Sequence, residues 1–292
     1  MASSHIALAI AVICVWGSNF VVTKWGLDRL PPLTLCSWRF LLSFFPACLF
    51  LPRPPGRLRL LVAFGVITGL GQFGLLCIAM RDLIGVGLAS IVVQTQAFFN
   101  VALAALILHE KLRPSQILGC LVAAAGLVLI VSTAGTFTTV LGMALVLGAA
   151  LSWACCNVLI RASGYDGDLV AFLVWSSLFA ALPLIALSLL FEGREALLRP
   201  AAAGQLDLWL IIAWQAFANT IFGYAVWNSL IRAYSLSRIG PLTLLVPIFA
   251  MTMSALLLGE RLHALEAIAA ALIVAGVALP FLDRMRTRRR PT

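Results

Sequence analysis

The side chains best placed to do chemistry in this sequence are neutral amides and aromatic rings deep inside long apolar stretches. An amide offers hydrogen-bond donors and acceptors without a charge, and tryptophan and tyrosine join an apolar ring to one polar group. In a low-dielectric setting, such groups can contact a small solute without trapping it. The candidate substrate-binding residues are Trp16, Asn19, Gln72, Gln94, Gln96, Trp153, Asn157, Tyr224 and Asn228.

Spacing strengthens this prediction for two pairs of candidates. Trp153 and Asn157 lie four residues apart, as do Tyr224 and Asn228, so each pair shares one face of a helix. Trp16 and Trp153 lie well inside their apolar stretches, whereas tryptophans of the membrane surface gather near the ends of spans. We therefore predict that these residues line one cavity. The alternative for each is ordinary helix packing or a hydrogen bond to a neighbouring helix.

One charged residue, Arg39, lies several positions inside an apolar stretch. A charge within a membrane is costly unless it is paired or hydrated. One interpretation makes Arg39 the partner of a substrate carboxylate, through the charge-assisted hydrogen bonds that arginine forms well. The other, which the sequence favours, is a structural arginine that binds helix-end carbonyls or extends to the membrane surface.

The chain has 292 residues, of which 62% are hydrophobic and 11% charged. Soluble domains have about 45–50% apolar and about 25% charged residues, so the composition excludes an ordinary soluble enzyme. A membrane helix needs about 20 apolar residues and satisfies its own backbone groups, which predicts an all-α polytopic membrane protein with ten transmembrane helices. The predicted spans are 6–27, 33–51, 58–80, 83–108, 115–134, 138–162, 168–191, 208–232, 235–258 and 264–282.

The positive charges indicate how these spans are oriented. Lysine and arginine number 20, against 11 aspartates and glutamates. With a cytoplasmic N-terminus, thirteen of the basic residues near span ends fall on the cytoplasmic side and six on the other. The positive-inside rule therefore predicts that both termini are cytoplasmic, which agrees with an even number of spans. The basic C-terminal tail fits contact with anionic membrane lipid; a nucleic-acid arm is the alternative, and we expect no nucleic-acid partner.

An internal repeat divides the chain. A shift of 150 positions places 109–112 (HEKL) on 259–262 (GERL) without a gap. This similarity predicts one five-helix repeat at 1–135 and a second at 136–292. Because five is odd, the second repeat enters the membrane inverted, an arrangement that secondary transporters use around a site near the midplane.

These features resemble the drug/metabolite transporter superfamily and, within it, the EamA family, over the whole chain. The residues that carry the resemblance are Trp16-Gly17-Ser18-Asn19, Ser37-Trp38-Arg39-Phe40, Glu110-Lys111-Leu112, Gly126 and 247–260. Among its branches, the chain is most similar to YddG-type bacterial amino-acid exporters. The resemblance implies an inner-membrane exporter whose central cavity is lined by helices one to four and six to nine. The chain departs from the usual pattern at Gln96-Ala97, where a proline comparable to Pro247 is common.

Several other functions lack support in the sequence. The seven cysteines fall within apolar runs without metal-ligand spacing, and the three histidines lie far apart, so we expect no metal. The chain has no G-x-x-x-x-G-K-[ST] loop, and we predict no cofactor. An intramembrane enzyme would need two carboxylates on different helices, whereas Asp166 and Asp168 share one loop. Glu110 and Glu260 lie at equivalent helix ends, where we expect salt bridges with neighbouring cations.

We therefore predict a secondary transporter, not an enzyme, that exports small amphipathic metabolites through a central cavity by alternating access. Amino acids, aromatic or otherwise neutral, are the first candidate substrates, and the membrane is the bacterial inner membrane. The alternative within transport is efflux of hydrophobic drugs or organic cations. No Asp, Glu or His falls clearly in the middle of a span, which argues against cation efflux driven through a membrane carboxylate. Small-residue faces such as Gly65 with Gly69 serve packing within the chain or, alternatively, a homodimer.

Overall fold

The computed structural model describes residues 3–109, 112–132, 138–201, 205–234, 240–260 and 264–288, and the regular structure within these residues is helical. Seven helical segments of the described residues are long and apolar enough to cross a membrane. They are α1, α3, α4, α6, α7 and α8, and the segment Pro32–Leu49, which consists of α2 and the 3₁₀ turn after it. Apolar helices of 10 to 17 residues are found within α5, α9 and α10. The helices are α1 (Ser3–Leu27), α2 (Pro32–Phe44), α3 (Leu58–Asp82), α4 (Val86–Ile107), α5 (Pro114–Ser132), α6 (Val140–Ala162), α7 (Leu169–Phe191), α8 (206–234), α9 (Leu245–Leu258) and α10 (Ala264–Arg288).

The second predicted span is shorter as a regular helix than the sequence suggested. We predicted one apolar span over 33–51, but α2 ends at Phe44 and a 3₁₀ turn follows at Ala47–Leu49. Pro46 explains the interruption, because proline has no N–H to donate and its ring clashes with the preceding turn of a helix.

Three of the long helices change their winding in the middle. The segments Ile67–Gly74 of α3 and Trp214–Phe222 of α8 are π-helical, with Leu58–Val66 and Leu206–Ala213 as ordinary α-helix before them. In α4, a 3₁₀ turn at Val93–Thr95 interrupts the helix just before Gln96-Ala97, although no proline is present there. Such departures from α-helix are uncommon and are frequent at functional sites.

Glycines allow close contacts between helices. A Cβ atom on Gly65 of α3 would lie 2.3 Å from the backbone oxygen of Ser176 on α7. A Cβ on Gly119 of α5 would lie 2.5 Å from the backbone oxygen of Gly276 on α10, and the reverse distance is 2.6 Å. Side chains larger than hydrogen do not fit at such distances, so these small-residue faces are used for packing within the chain.

Hydrogen bonds join the connections at one end of the helix bundle. We call the end at which α1 begins the near end and the end at which α1 finishes the far end. At the far end, Lys24 Nζ donates to the backbone oxygen of Arg81 at 2.8 Å. The backbone N–H of Thr139 donates to the Leu83 oxygen at 2.8 Å. These hydrogen bonds tie α1 to the end of α3, and the start of α6 to the α3–α4 turn.

Candidate functional site

A cavity of about 650 Å³ lies in the centre of the bundle. Its wall comes mainly from α1 to α4, α6, α8 and α9, and it extends toward the near end. Asn19 and Gln72, deeper in the bundle, are buried, whereas Leu112 and Arg161, at the near end, are exposed. The cavity is therefore closed toward the far end and open toward the near end. Its volume is in the range of sites that bind small molecules.

All nine predicted substrate-binding residues, together with Arg39, lie on the wall of this one cavity. They come from α1, α2, α3, α4, α6 and α8, so the fold brings together residues that are far apart in sequence. That they contact a substrate stays a prediction. The nine are Trp16, Asn19, Gln72, Gln94, Gln96, Trp153, Asn157, Tyr224 and Asn228.

Aromatic rings form one side of the cavity. The ring centroid of Trp16 lies 5.7 Å from that of Tyr224 and 5.3 Å from that of Trp227. Trp16 Nε1 donates a hydrogen bond to the backbone oxygen of Asn219 at 3.2 Å, which orients the indole. A Cβ on Gly223 would lie 2.4 Å from Trp16 Nε1, so only glycine at this position leaves room for the ring.

Arg39 is buried beside the cavity, with 1% of its surface exposed. Its Nη2 donates to Thr220 Oγ1 at 3.2 Å. The guanidinium carbon lies 3.8 Å from the centroid of the Phe73 ring, close enough for a cation–π interaction. Nε has no hydrogen-bond partner among the described residues. The structure therefore does not place Arg39 at the membrane surface or on helix-end carbonyls, which the sequence favoured, because Phe73 and Thr220 hold it in the interior.

Two amides of the cavity wall are bonded through their nitrogen atoms. Asn19 Nδ2 donates to Thr23 Oγ1 at 3.4 Å, and Asn100 Nδ2 donates to Gln96 Oε1 at 2.5 Å. The side-chain oxygens of Asn19 and Asn100 are buried and have no hydrogen-bond partner among the described residues. The wall therefore contains two amide oxygens whose hydrogen-bonding capacity is not used by the described residues.

Two glutamates close the far end through backbone hydrogen bonds. Glu192 Oε1 accepts from the N–H of Leu33 at 2.8 Å, and Oε2 accepts from the N–H of Thr34 at 2.7 Å. The Thr34 hydroxyl also donates to Oε2 at 2.8 Å. The carboxylate thus accepts hydrogen bonds from N–H groups that have no partner within α2, at the end of the helix where the dipole favours a negative charge.

Glu260 has the same role at the start of α4. Its two carboxylate oxygens accept from the N–H groups of Val86 at 2.7 Å and Gly87 at 2.9 Å, and Ser254 Oγ also donates to it. The described partners of Glu260 are backbone amides and a hydroxyl. Its neighbouring cations Lys111 and Arg261 lie outside the described residues, so the expected salt bridge stays a prediction. Glu110 lies outside the described residues.

The charged side chains among the described residues of the cavity wall are all positive. Arg39 and Arg161 are on its wall, and no Asp, Glu or His is among the lining residues that the structure describes. Nor do the described residues contain a group of three or more His, Cys, Asp or Glu side chains that could hold a metal ion. The chemistry available here is hydrogen bonding, aromatic contact and attraction of an anion.

Comparison with known proteins identifies the family. The EamA-like transporter family matches residues 3–132 and 140–282. The chain belongs to this family. It is therefore a membrane transporter and not an enzyme, as the sequence motifs predicted. A crystal structure with a TM-score of 0.64 and 20% identity covers 98% of the chain and is itself covered over 99%, which supports the fold alone.

The chain has full-length relatives. A Salmonella typhimurium protein named "probable amino-acid metabolite efflux pump" is 38% identical over 275 residues, which are 92% of each chain. The Escherichia coli protein of the same name is 37% identical over the same shares. An uncharacterized transporter of Bacillus subtilis, YoaV, is 24% identical over 291 residues, with 96% of this chain and 97% of that protein covered.

Sequence reasoning missed the two residues that hold Arg39. Phe73 directly follows the predicted candidate Gln72, and Thr220 directly follows Asn219, another polar residue inside a span. Each pair lies in one of the π-helical segments. Phenylalanine and threonine are common in membrane helices, so residue type alone does not single them out. The only feature that could have indicated them is that they occupy equivalent positions in α3 and α8.

Proposed function

We propose that this transporter exports small amphipathic metabolites from the bacterial cytoplasm, with neutral and aromatic amino acids as the first class of substrate. The observation that carries the proposal is the central cavity, whose wall combines aromatic rings, neutral amides and one buried arginine. Such a wall matches a solute with an apolar part and a polar end. The printed name of the Salmonella typhimurium and Escherichia coli relatives, amino-acid metabolite efflux pump, agrees with this class.

In this proposal the chain crosses the membrane ten times, as two inverted five-helix repeats at 1–135 and 136–292. Two observations support the repeat. The family matches two stretches of similar length. The π-helical segments also fall at equivalent places, since Gln72 and Asn219 are each the sixth residue of their segment. The third helix of each repeat would thus present a polar side chain to the cavity from the same local distortion.

The positive-inside asymmetry of the sequence supports a cytoplasmic location for the near end and for both termini. The open near end then makes this structure an inward-open state, in which a cytoplasmic solute enters the cavity. Export requires a second state, in which the near end closes and the far end opens. Glu192 and Glu260 would release the starts of α2 and α4 in that step, because both hydrogen-bond sets hold the far end closed.

The proposal is tested with the purified protein in liposomes. Uptake of labelled amino acids into preloaded vesicles is measured with and without a proton gradient, against vesicles that lack the protein. We expect exchange of neutral and aromatic amino acids, driven by their own gradient. Absence of flux for a broad amino-acid panel would exclude this substrate class. Faster flux of a hydrophobic organic cation would support the alternative of drug efflux.

A further inference from the structure

Arg39 carries a buried positive charge without a counter-ion among the described residues. The side chain is 1% exposed, and its described contacts are the Thr220 hydroxyl and the rings of Phe73 and Phe40. A hydroxyl and an aromatic face compensate a charge only in part, and an isolated charge in a membrane interior is costly. The guanidinium also retains an unpartnered Nε–H. An anionic group bound from the cavity would satisfy both deficits.

Negatively charged side chains are missing from the described residues of the cavity wall. No carboxylate is among the described lining residues, so a cationic solute would meet Arg39 with nothing to offset the repulsion. A carboxylate-bearing solute instead meets a donor whose planar, fixed geometry suits a carboxylate. The cavity therefore favours solutes by their charge as well as by their size.

Asn19, on the wall of the same cavity, has a buried amide oxygen that is a neutral acceptor. Its orientation follows from Thr23, whose hydroxyl donates to the Asn19 backbone oxygen at 2.7 Å. Because that proton is used, Thr23 Oγ1 can only accept from the Asn19 side chain, which turns the amide nitrogen toward it. The Oδ1 atom is left without a partner among the described residues.

We propose that Arg39 binds the carboxylate of the transported solute and that Asn19 accepts a hydrogen bond from its amino group, so that the cavity selects carboxylates of net charge zero or minus one and rejects cations. This inference rests on the proposed function, since it assigns groups of the same cavity to parts of the substrate. A zwitterion satisfies Arg39 and Asn19 together, whereas an amine without a carboxylate satisfies Asn19 alone.

The test uses four compounds that share one phenyl ring. At about pH 6, phenylalanine is zwitterionic, 3-phenylpropionate keeps only the carboxylate, and phenethylamine and phenylalaninamide lack a carboxylate and are cationic. Binding to the purified full-length protein is measured by ligand-induced thermal stabilisation, and competition against labelled phenylalanine flux is measured in liposomes. We expect the two carboxylates to bind at least about tenfold more tightly than the two cations, since hydrogen bonds to charged groups have effects of this size.

Three variants separate charge recognition from structure. Arg39→Gln should weaken phenylalanine and 3-phenylpropionate about tenfold to a hundredfold and leave phenethylamine unchanged or stronger. Arg39→Lys, which keeps the charge, should restore part of the preference. Arg194→Gln is the matched control, because it removes a positive charge from an exposed residue of the short helix Arg194–Leu198, outside the cavity wall, and should keep the preference for carboxylates.

Asn19→Ala tests the second contact. It should weaken phenylalanine about fivefold to tenfold and leave 3-phenylpropionate unchanged, since 3-phenylpropionate has no amino group. Equal binding of all four compounds to the wild type, or an equal loss for all four in Arg39→Gln, would overturn the inference. Charge-selective binding without any flux would overturn the proposed transport of amino acids instead. Flux without charge preference would overturn this inference alone.

Discussion

Loss of the Glu260 carboxylate should open the far end of the cavity. In the closed far end, its oxygens accept hydrogen bonds from the N–H groups of Val86 and Gly87, at 2.7 and 2.9 Å, and from Ser254 Oγ. The negative charge also faces the positive end of the α4 helix dipole. Glu260→Gln keeps one acceptor oxygen, and it loses the charge and the second acceptor. The replacement therefore weakens the closed state specifically.

The size of the effect follows from the interactions lost. A carboxylate near a helix N-terminus contributes about 0.3–1 kcal/mol, and a hydrogen bond to a charged group about 1.5–3 kcal/mol. In the open state, water replaces part of both contributions, and the remaining amide oxygen keeps part in the closed state. We expect a net loss of about 1–2 kcal/mol, which changes the ratio of closed to open states about fivefold to thirtyfold.

The change is read from the reactivity of a cysteine placed in the cavity at Met80, a buried lining residue near the end of α3. A membrane-impermeant maleimide is applied from the far-end side, and labelling at residue 80 is followed by mass spectrometry. We expect about fivefold to thirtyfold faster labelling when Glu260→Gln is added. Glu195→Gln is the control, because Glu195 is an exposed carboxylate of the short helix Arg194–Leu198 at the same end.

Equal labelling rates at residue 80 in Glu260→Gln and Glu195→Gln would refute a role of Glu260 in closing the far end. General destabilisation is a different outcome, and labelling of a cysteine placed at Ala104 distinguishes it. Ala104 lines the part of the cavity nearer the near end, and its reactivity toward reagent from the near-end side should not rise with an open far end. A parallel rise at both positions, with a lower melting temperature, would show that the variant unfolds and does not shift between states.

Three further substitutions test helix packing and the closure of the far end. Gly223→Val should displace Trp16, whose Nε1 would lie 2.4 Å from the new Cβ. The flux of aromatic amino acids in liposomes should fall at least about tenfold, while the melting temperature stays nearly unchanged. Gly276→Val should destabilise the α5–α10 contact by about 1–3 kcal/mol, seen as a lower melting temperature, because its Cβ would lie 2.6 Å from the Gly119 oxygen. Glu192→Gln should accelerate far-end labelling as Glu260→Gln does, since it weakens the hydrogen bonds to the start of α2.

Hydropathy and breakers predict the helices well because both follow local rules. Pro31-Pro32 and Pro114 mark the starts of α2 and α5, and the apolar run that begins at Leu58 becomes α3. Interruptions within spans are harder to predict. Pro46 marks one of them, but nothing at Val93–Thr95 distinguishes a 3₁₀ turn from a helix that continues. Backbone winding there depends on contacts with other helices.

The cavity wall was predictable for a physical reason. An amide or indole deep in a membrane needs a polar partner or water. The sequence positions of Gln72, Asn157 and Trp16 therefore predict that they face the interior of the helix bundle. The hydrogen-bond partners of individual side chains were not predictable. The bonds of Glu260 to the backbone of α4 were not predicted, because the unpaired N–H groups that attract the carboxylate exist only once the helix has formed.

The π-helical segments connect the fold to the site. A wider turn changes which backbone oxygens are available, and here those oxygens position cavity side chains. In α8, the Thr220 hydroxyl donates to the oxygen of Gln215, five residues earlier, at 2.9 Å and accepts from Arg39. The Asn219 oxygen accepts from Trp16 Nε1 at 3.2 Å. One local distortion therefore positions both the buried charge and the aromatic wall. A regular α-helix through 214–222 would rotate every residue after it and separate these contacts.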